Sequence, residues 1–312
     1  MKLINLIPVN TKINFLSLRK IAIMTSIVLC VASFGLLVTK GLNFGIDFRG
    51  GIMLEIRTAQ TADLSSIRSN LGSLGLGEIE LQRFGKDTDV LIRIESQPGG
   101  ASGQKLAVDK VKKILGPAVD YRRTEFVGPK VSGELIDAGV TAVVLALFAM
   151  LMYIWFRFEW QFGVGAVAAL GHDVFLTIGV FSLLGLEFNL STIAAILTIA
   201  GYSINDTVVV YDRVRENLRK YKVRPLEDVL NMSLNDTLSR TLLTSITTLI
   251  ALLILYFFGG EVIKDFSFAM IWGVLVGTYS SIYVATPLLA HMNLRASAVA
   301  LPEDDDNETV RP

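Results

Sequence analysis

The chain has 312 residues, of which 52% are hydrophobic; its mean hydropathy is +0.52, and 29 Lys and Arg balance 29 Asp and Glu. That apolarity excludes an ordinary soluble domain and a disordered chain, and the zero net charge offers no electrostatic footprint for nucleic acid. Cys30 is the only cysteine, which excludes an intrachain disulfide and a cysteine-based metal site.

Apolar runs fall at about 20–39, 137–156, 162–185, 189–211, 238–258 and 266–290, each long enough to span a bilayer with some tilt. The first follows Lys12, Arg19 and Lys20 and lacks a small-x-small cleavage site before Lys40, so it reads as an uncleaved anchor. The N-terminal arm, the turn at Arg157 and the loop carrying Arg213, Arg215, Arg219, Lys220, Lys222 and Arg224 share one side, which the positive-inside rule assigns to the cytoplasm. The predicted partition is a cytoplasmic arm at 1–19, a span at 20–39, a periplasmic domain at 40–135, the remaining spans within 136–292 and a cytoplasmic tail at 293–312. The acidic run at 303–306 reads as a solvated, mobile tail.

After the first span, Ile52, Leu54 and Ile56 alternate with Met53, Glu55 and Arg57, the period of a strand. Leu64, Ile67, Leu71 and Leu74 recur at helical spacing, and extended segments follow at 78–84 and 89–95 about a turn at 85–88. A Gly/Ser/Pro linker at 96–103 precedes an amphipathic helix with Ala107, Val111, Ile114 and Leu115, and 119–127 closes the segment as a strand. The order β-α-β-β-α-β predicts a ferredoxin-like α+β domain between the first two spans. Before it, Gly45, Gly50 and Gly51 suit a tight turn or bulge, with Asp47 and Arg49 as a surface pair or a hinge contact.

Asp206 lies within an apolar stretch, seven residues before the basic cluster begins at Arg213, or roughly 10 Å below the membrane surface. A carboxylate at that depth costs on the order of 2.5–3.5 kcal/mol and marks an ion pathway or a packed bundle interior. On the same helix Ala195, Thr198, Tyr202 and Ser203 share its stripe, with Asn205 beside it; Tyr202 suits packing and Asn205 a hydrogen-bond partner. The fifth span presents Asp236, Arg240, Thr244, Thr247 and Thr248 as a polar stripe. If the two helices are adjacent, Asp206 and Arg240 reach similar depth. Moving the guanidinium would switch the aspartate between binding and releasing a proton, while a static pair would fix packing. In the third span His172 and Asp173 share a stripe with Gly165, Ala168 and Ala169, for helix packing or a proton path. Adjacent residues diverge by about 100°, and one histidine with one carboxylate is no usual metal site. No His-Glu-x-x-His, Gly-x-Ser-x-Gly or phosphate-binding glycine loop occurs, so no enzymatic activity and no cofactor are expected. An intramembrane aspartyl protease would need a second aspartate, and none is evident at the depth of Asp206.

Three blocks carry a resemblance: Gly45-Ile46-Asp47-Phe48-Arg49-Gly50-Gly51, Val127-Gly128-Pro129-Lys130-Val131-Ser132-Gly133-Glu134-Leu135, and the run from Gly201-Tyr202-Ser203-Ile204-Asn205-Asp206-Thr207 through Asn217. His172-Asp173-Val174 and Ser239-Arg240-Thr241-Leu242-Leu243-Thr244-Ser245 extend it. The chain resembles the SecF family of bacterial Sec protein export, within the resistance-nodulation-division (RND) superfamily. The resemblance implies a polytopic α-helical membrane protein, half of an RND-type bundle of six helices, in the bacterial inner membrane. It also implies SecD as an obligate partner, SecYEG as the channel served, possible association of YajC, and unfolded preprotein as cargo. Asp206 and Arg240 would couple proton flow to motion, and the connections containing Gly45–Gly51 and Gly128-Pro129 would tilt the periplasmic domain. The alternatives are half of a proton-driven small-molecule or lipid exporter of the same superfamily, and a non-conducting membrane scaffold.

Overall fold

The computed structural model describes residues 11–117, 119–292 and 294; the acidic run at 303–306 lies outside them. Among the described residues six helices are long and apolar enough to cross a bilayer: Phe15–Thr39, Pro129–Arg157, Trp160–Leu184, Leu190–Lys220, Leu226–Phe258 and Ile263–Ala290. The chain is thus a polytopic α-helical membrane protein, as expected. Several helices outrun their apolar cores. The second span starts at Pro129 rather than near 137, and the fifth at Leu226 rather than 238, because backbone hydrogen bonding continues through polar turns that a search for apolar runs does not register.

The elements in chain order are α1 (Arg19–Thr39), β1 (Asn43–Phe44), α2 (Ile46–Arg49), β2 (Gly51–Arg57), α3 (Leu64–Gly72), β3 (Ile79–Phe84), β4 (Lys86–Ile94), α4 (Gly100–Leu115), β5 (Asp120–Val127), α5 (Pro129–Arg157), α6 (Trp160–Leu184), β6 (Glu187–Phe188), α7 (Leu190–Lys220), α8 (Leu226–Phe258), α9 (Glu261–Ser280), a π-helical turn (Ser281–Ala285) and α10 (Thr286–Ala290). They form two compact units. One comprises the described residues up to Gly41, Ala146–Leu183 and the described residues from Ala195 on; the other comprises the described residues of Leu42–Leu145 and Leu184–Ala194.

In the second unit the sheet order is β3-β4-β2-β5, with every pair antiparallel, the arrangement a ferredoxin-like β-α-β-β-α-β chain adopts. Ile52, Leu54 and Ile56 join Val90, Ile92 and Ile94 on the face covered by α3 and α4, where Ile67, Leu71, Ala107, Val108 and Val111 complete the core. The period-two alternation read from β2 therefore does bury one stripe against helices. The hairpin turn is tighter than expected: β3 ends at Phe84 and β4 starts at Lys86, with Gly85 at φ 72 between them. On the other face Ile46, Met53 and Leu91 form a small apolar cluster, and the Arg57 guanidinium clamps the Asp89 carboxylate through both oxygens. That clamp holds Asp89 below the usual carboxylate range.

The segment at 185–189, between the third and fourth spans, also forms structure. β6 pairs in parallel with β1, Asn43 opposite Glu187 and Phe44 opposite Phe188. Arg93 of β4 secures this ribbon, donating to Asn43 Oδ1 at 2.7 Å and pairing with Glu187 at 3.1 Å.

In the first unit a continuous apolar core joins Phe158 and Phe162 near the start of α6, Tyr211 and Val214 on α7, Leu230 and Leu234 on α8, and Ala285 and Leu289 near the end of the chain. Small residues bring these helices close, as in membrane bundles generally. The Tyr211 hydroxyl lies over Gly165, Ile199 over Gly273, and Ser33 over Gly179, so a Cβ at any of these glycines would collide.

Candidate functional site

α6, α7, α8 and the last span bring their polar residues to one buried cluster. Asp206 on α7 is 6% exposed, and Asp173 on α6 is fully buried at 0%. The Thr241 hydroxyl on α8 donates to Asp206 Oδ1 at 2.7 Å. Asp206 Oδ2 is buried and has no hydrogen-bond partner among the described residues. Asp173 Oδ2 accepts from Ser203 at 2.5 Å and from Ser280 at 2.7 Å. Ser203 precedes Asp206 by three residues, so the two carboxylates sit about one helical turn apart along α7. Next to Ser280, the Ser281 hydroxyl donates to the Gly277 carbonyl and meets Thr207 Oγ1 at 3.0 Å.

This Ser281 begins the π-helical turn, a single-turn break in the α-helical ladder of a kind that recurs at functional sites. Its far end is held by Tyr211, whose hydroxyl donates to the Ala285 carbonyl at 3.2 Å. Four buried hydroxyl-bearing residues, Ser203, Thr207, Ser280 and Ser281, thus gather where α6, α7 and the last span meet. Among the described residues no cluster of His, Cys, Asp and Glu has the composition to hold a metal.

The expected residues are gathered unevenly. His172 and Asp173 do not diverge as helix geometry suggests: His172 Nδ1 lies 2.9 Å from Asp173 Oδ1, because the two side chains turn toward each other. With Nδ1 donating, His172 Nε2 is an acceptor, and it is buried without a partner among the described residues. No ion pair joins Asp206 to Arg240 among the described residues: Arg240 is exposed and its neighbour Thr241 turns inward. Asn205 is exposed, with no hydrogen bond among the described residues, so it does not satisfy a buried partner in this chain. Tyr202 donates to Ser245 at 3.2 Å, and Ser245 meets Thr278 at 2.8 Å, a packing contact between α7, α8 and α9.

In the second unit the glycine turn has a defined task. Asp47 and Arg49 do not pair with each other. Asp47 Oδ2 accepts the Leu190 amide at 2.9 Å, capping the first turn of α7, while Arg49 meets Glu80 at 3.3 Å. Ser132 of α5 donates to the Phe48 carbonyl at 2.7 Å. The turn therefore holds the N-termini of both α5 and α7, and Pro129 occupies the first position of α5, where its missing N–H costs nothing. Gly50 and Gly51 adopt φ of 70 and 115, and Gly45 packs so closely that a Cβ would lie 2.5 Å from Glu187 Oε1.

Sequence reasoning missed Thr207, Ser280 and Ser281 as members of the cluster. The adjacent serines inside the apolar run at 266–290 were the available signal.

Residues 107–295 match the family model for the protein export membrane protein SecD/SecF, C-terminal, and residues 35–62, which bracket the glycine turn, match the SecD/SecF GG motif. The chain is 46% identical over 293 residues to a protein translocase subunit SecF of Rickettsia rickettsii, covering 92% of this chain and 94% of the relative. It is 47% identical over 306 residues to that of Rhodobacter capsulatus, covering 93% and 92%. Among solved structures, SecDF of Thermus thermophilus, described as a translocon-associated membrane protein, matches with a TM-score of 0.83 and 37% identity over 92% of this chain. A SecDF structure in a super-membrane-facing form matches with a TM-score of 0.65 and 34% identity over 93% of this chain. The chain spans 39% and 40% of those two longer proteins. From the matched models, the identity along nearly its whole length and the shared fold, the chain belongs to the SecD/SecF family of protein-export membrane proteins, on its SecF branch.

Proposed function

We propose that this protein translocase subunit acts with SecD to convert the proton motive force into movement that draws preprotein outward from SecYEG, with YajC as an accessory. The observation that carries the reading is Asp206: a carboxylate at bilayer depth with one oxygen held by Thr241 and the other buried with no hydrogen-bond partner among the described residues. A proton satisfies that second oxygen, and the buried hydroxyls of Ser203, Thr207, Ser280 and Ser281 offer a route for it. On protonation the Asp206 carboxyl becomes a donor as well as an acceptor, the contact with Thr241 reorganises, and α7 shifts against α8. Arg240, beside Thr241 on α8, is the second proton-coupling residue of this reading. Because Asp47 caps α7 and Ser132 of α5 holds the same turn, a shift of either helix reaches the glycine turn and tilts the periplasmic domain. The two SecDF structures match this chain with TM-scores of 0.83 and 0.65 at 37% and 34% identity. Unequal similarity at nearly equal identity supports more than one arrangement.

SecD supplies cover for the exposed polar side of the bundle. Gly201 and Asn205 on α7, and Arg240, Thr244 and Thr247 on α8, are exposed in the single chain. An arginine left against lipid at depth costs on the order of 2.5–3.5 kcal/mol, which a second subunit removes. The termini face the cytoplasm and the ferredoxin-like domain the periplasm, by the charge of the short loops.

The test is export of a model preprotein into inverted vesicles, with and without a proton gradient, using the Asp206→Asn variant. The expected result is normal co-purification with SecD and loss of the gradient-dependent component. Gradient dependence equal to that of the unaltered protein would refute the reading.

A further inference from the structure

We propose that the chain binds an anionic glycerophospholipid beside the α5–α6 turn, its phosphate held by Arg157, Arg215, Arg219 and Lys220 and an acyl chain lying in the adjoining apolar groove. The inference rests on the membrane-spanning fold and is independent of proton coupling. The groove has a volume of about 870 Å³ and is lined by Leu151, Ile154, Trp155, Gly163, Val164 and Val167 among others, with Glu159 its only charged lining residue. A second, polar recess of about 600 Å³ is lined by Arg157, Arg215, Arg219 and Lys220 together with Asp212 and Glu216. Four cations against two carboxylates leave a surplus of two positive charges.

The carboxylates are already engaged. Asp212 pairs with Arg157 at 2.7 Å and approaches Arg215 at 3.9 Å, and Glu216 takes Arg213 at 2.7 Å. Arg219 and Lys220 are exposed and form no ion pair among the described residues. Arg215 Nε is buried without a hydrogen-bond partner among the described residues.

Phe158 joins the two recesses. Its ring lines the groove, and the Arg157 and Arg215 guanidinium carbons stand 5.1 and 5.5 Å from its centroid. A molecule with an apolar tail in the groove thus has its head at the guanidinium cluster. Trp155 and Trp160, 77% and 66% exposed, flank the groove, as aromatic side chains do at the level of lipid headgroups. The surplus positive charge selects an anionic headgroup over a zwitterionic one, whose ammonium would be repelled. Guanidinium groups also match phosphate oxygens two at a time.

The test uses the full chain with its SecD partner, purified in detergent and equilibrated with equal amounts of phosphatidylglycerol and phosphatidylcholine, with bound lipid counted by native mass spectrometry. Phosphatidylglycerol is expected to be retained over phosphatidylcholine by about fivefold or more, and the Arg219→Gln/Lys220→Gln double variant to lose that preference. Those two residues are exposed, so the variant leaves the bundle intact. Gly163→Leu is expected to lower phosphatidylglycerol retention with the cations unchanged. A Cβ there meets only Ile154 Cγ2, at 3.7 Å, so the longer side chain extends into the groove. Millimolar inorganic phosphate is expected not to displace the lipid. Equal retention of the two lipids, an unchanged preference in the double variant, or displacement by phosphate alone would overturn the proposal. So would absence of lipid because SecD itself fills the groove.

Discussion

Gly51→Ala is expected to destabilise the ferredoxin-like unit by about 2–4 kcal/mol. Gly51 has φ of 115, a region where a side chain costs on the order of 1–3 kcal/mol. A Cβ there would stand 2.5 Å from the Ile94 carbonyl oxygen and 3.5 Å from the Ser96 amide nitrogen. Those are backbone atoms at the end of β4 and just beyond it, so relief comes only by parting β2 from β4 where Ile52 pairs with Ile94. One weakened ladder bond adds roughly 0.5–1.5 kcal/mol. At 1.4 kcal/mol per factor of ten, the open population rises roughly 30- to 700-fold. Hydrogen exchange of the Ile52 and Ile94 amides in the full chain in nanodiscs reads this directly. Gly72→Ala is the control: at the end of α3 its Cβ would meet nothing within 4 Å and its φ is ordinary, so exchange should be unchanged or slower. If the two variants exchange alike, the steric account of the glycine turn is wrong.

Asp47→Ala removes the cap on the Leu190 amide and should cost about 1 kcal/mol, seen as roughly fivefold faster exchange confined to the first turn of α7. Asp89 is held below its ordinary range chiefly by its hydrogen bonds from Arg57. Its stabilising contribution is therefore fully present above the unfolded value of about 3.9 and is lost as pH falls through the lower folded value. Asp89→Asn should be less stable at neutral pH and show a flatter loss of stability below about pH 4, by thermal unfolding of the ferredoxin-like domain in the full chain. Thr241→Val keeps the volume but removes the donor to Asp206 Oδ1. Gradient-driven export should fall severalfold while SecD co-purification persists, and full activity would show that this hydrogen bond does no mechanistic work.

Much of the architecture is set by patterns that survive without knowledge of any contact. Six long apolar stretches have to become helices in a bilayer, because no other open structure satisfies their backbone there. The alternation in β2 and the helical spacing of Leu64, Ile67 and Leu71 announce a two-layer domain, and Asp206 stands out because a carboxylate in apolar sequence is costly wherever it faces. What the chain's order cannot carry is which residues from different helices share a depth and a face. Ser203 and Ser280, on different helices, converge on one oxygen of Asp173. Thr241 rather than Arg240 turns to Asp206 because a shift of one residue rotates a helix by about 100°. Likewise β1 and β6, separated by most of the soluble domain and two spans, pair only after those elements have folded. Local periodicity decided the elements; the depth and rotation of each packed helix, set by the small-residue contacts between them, decided the site.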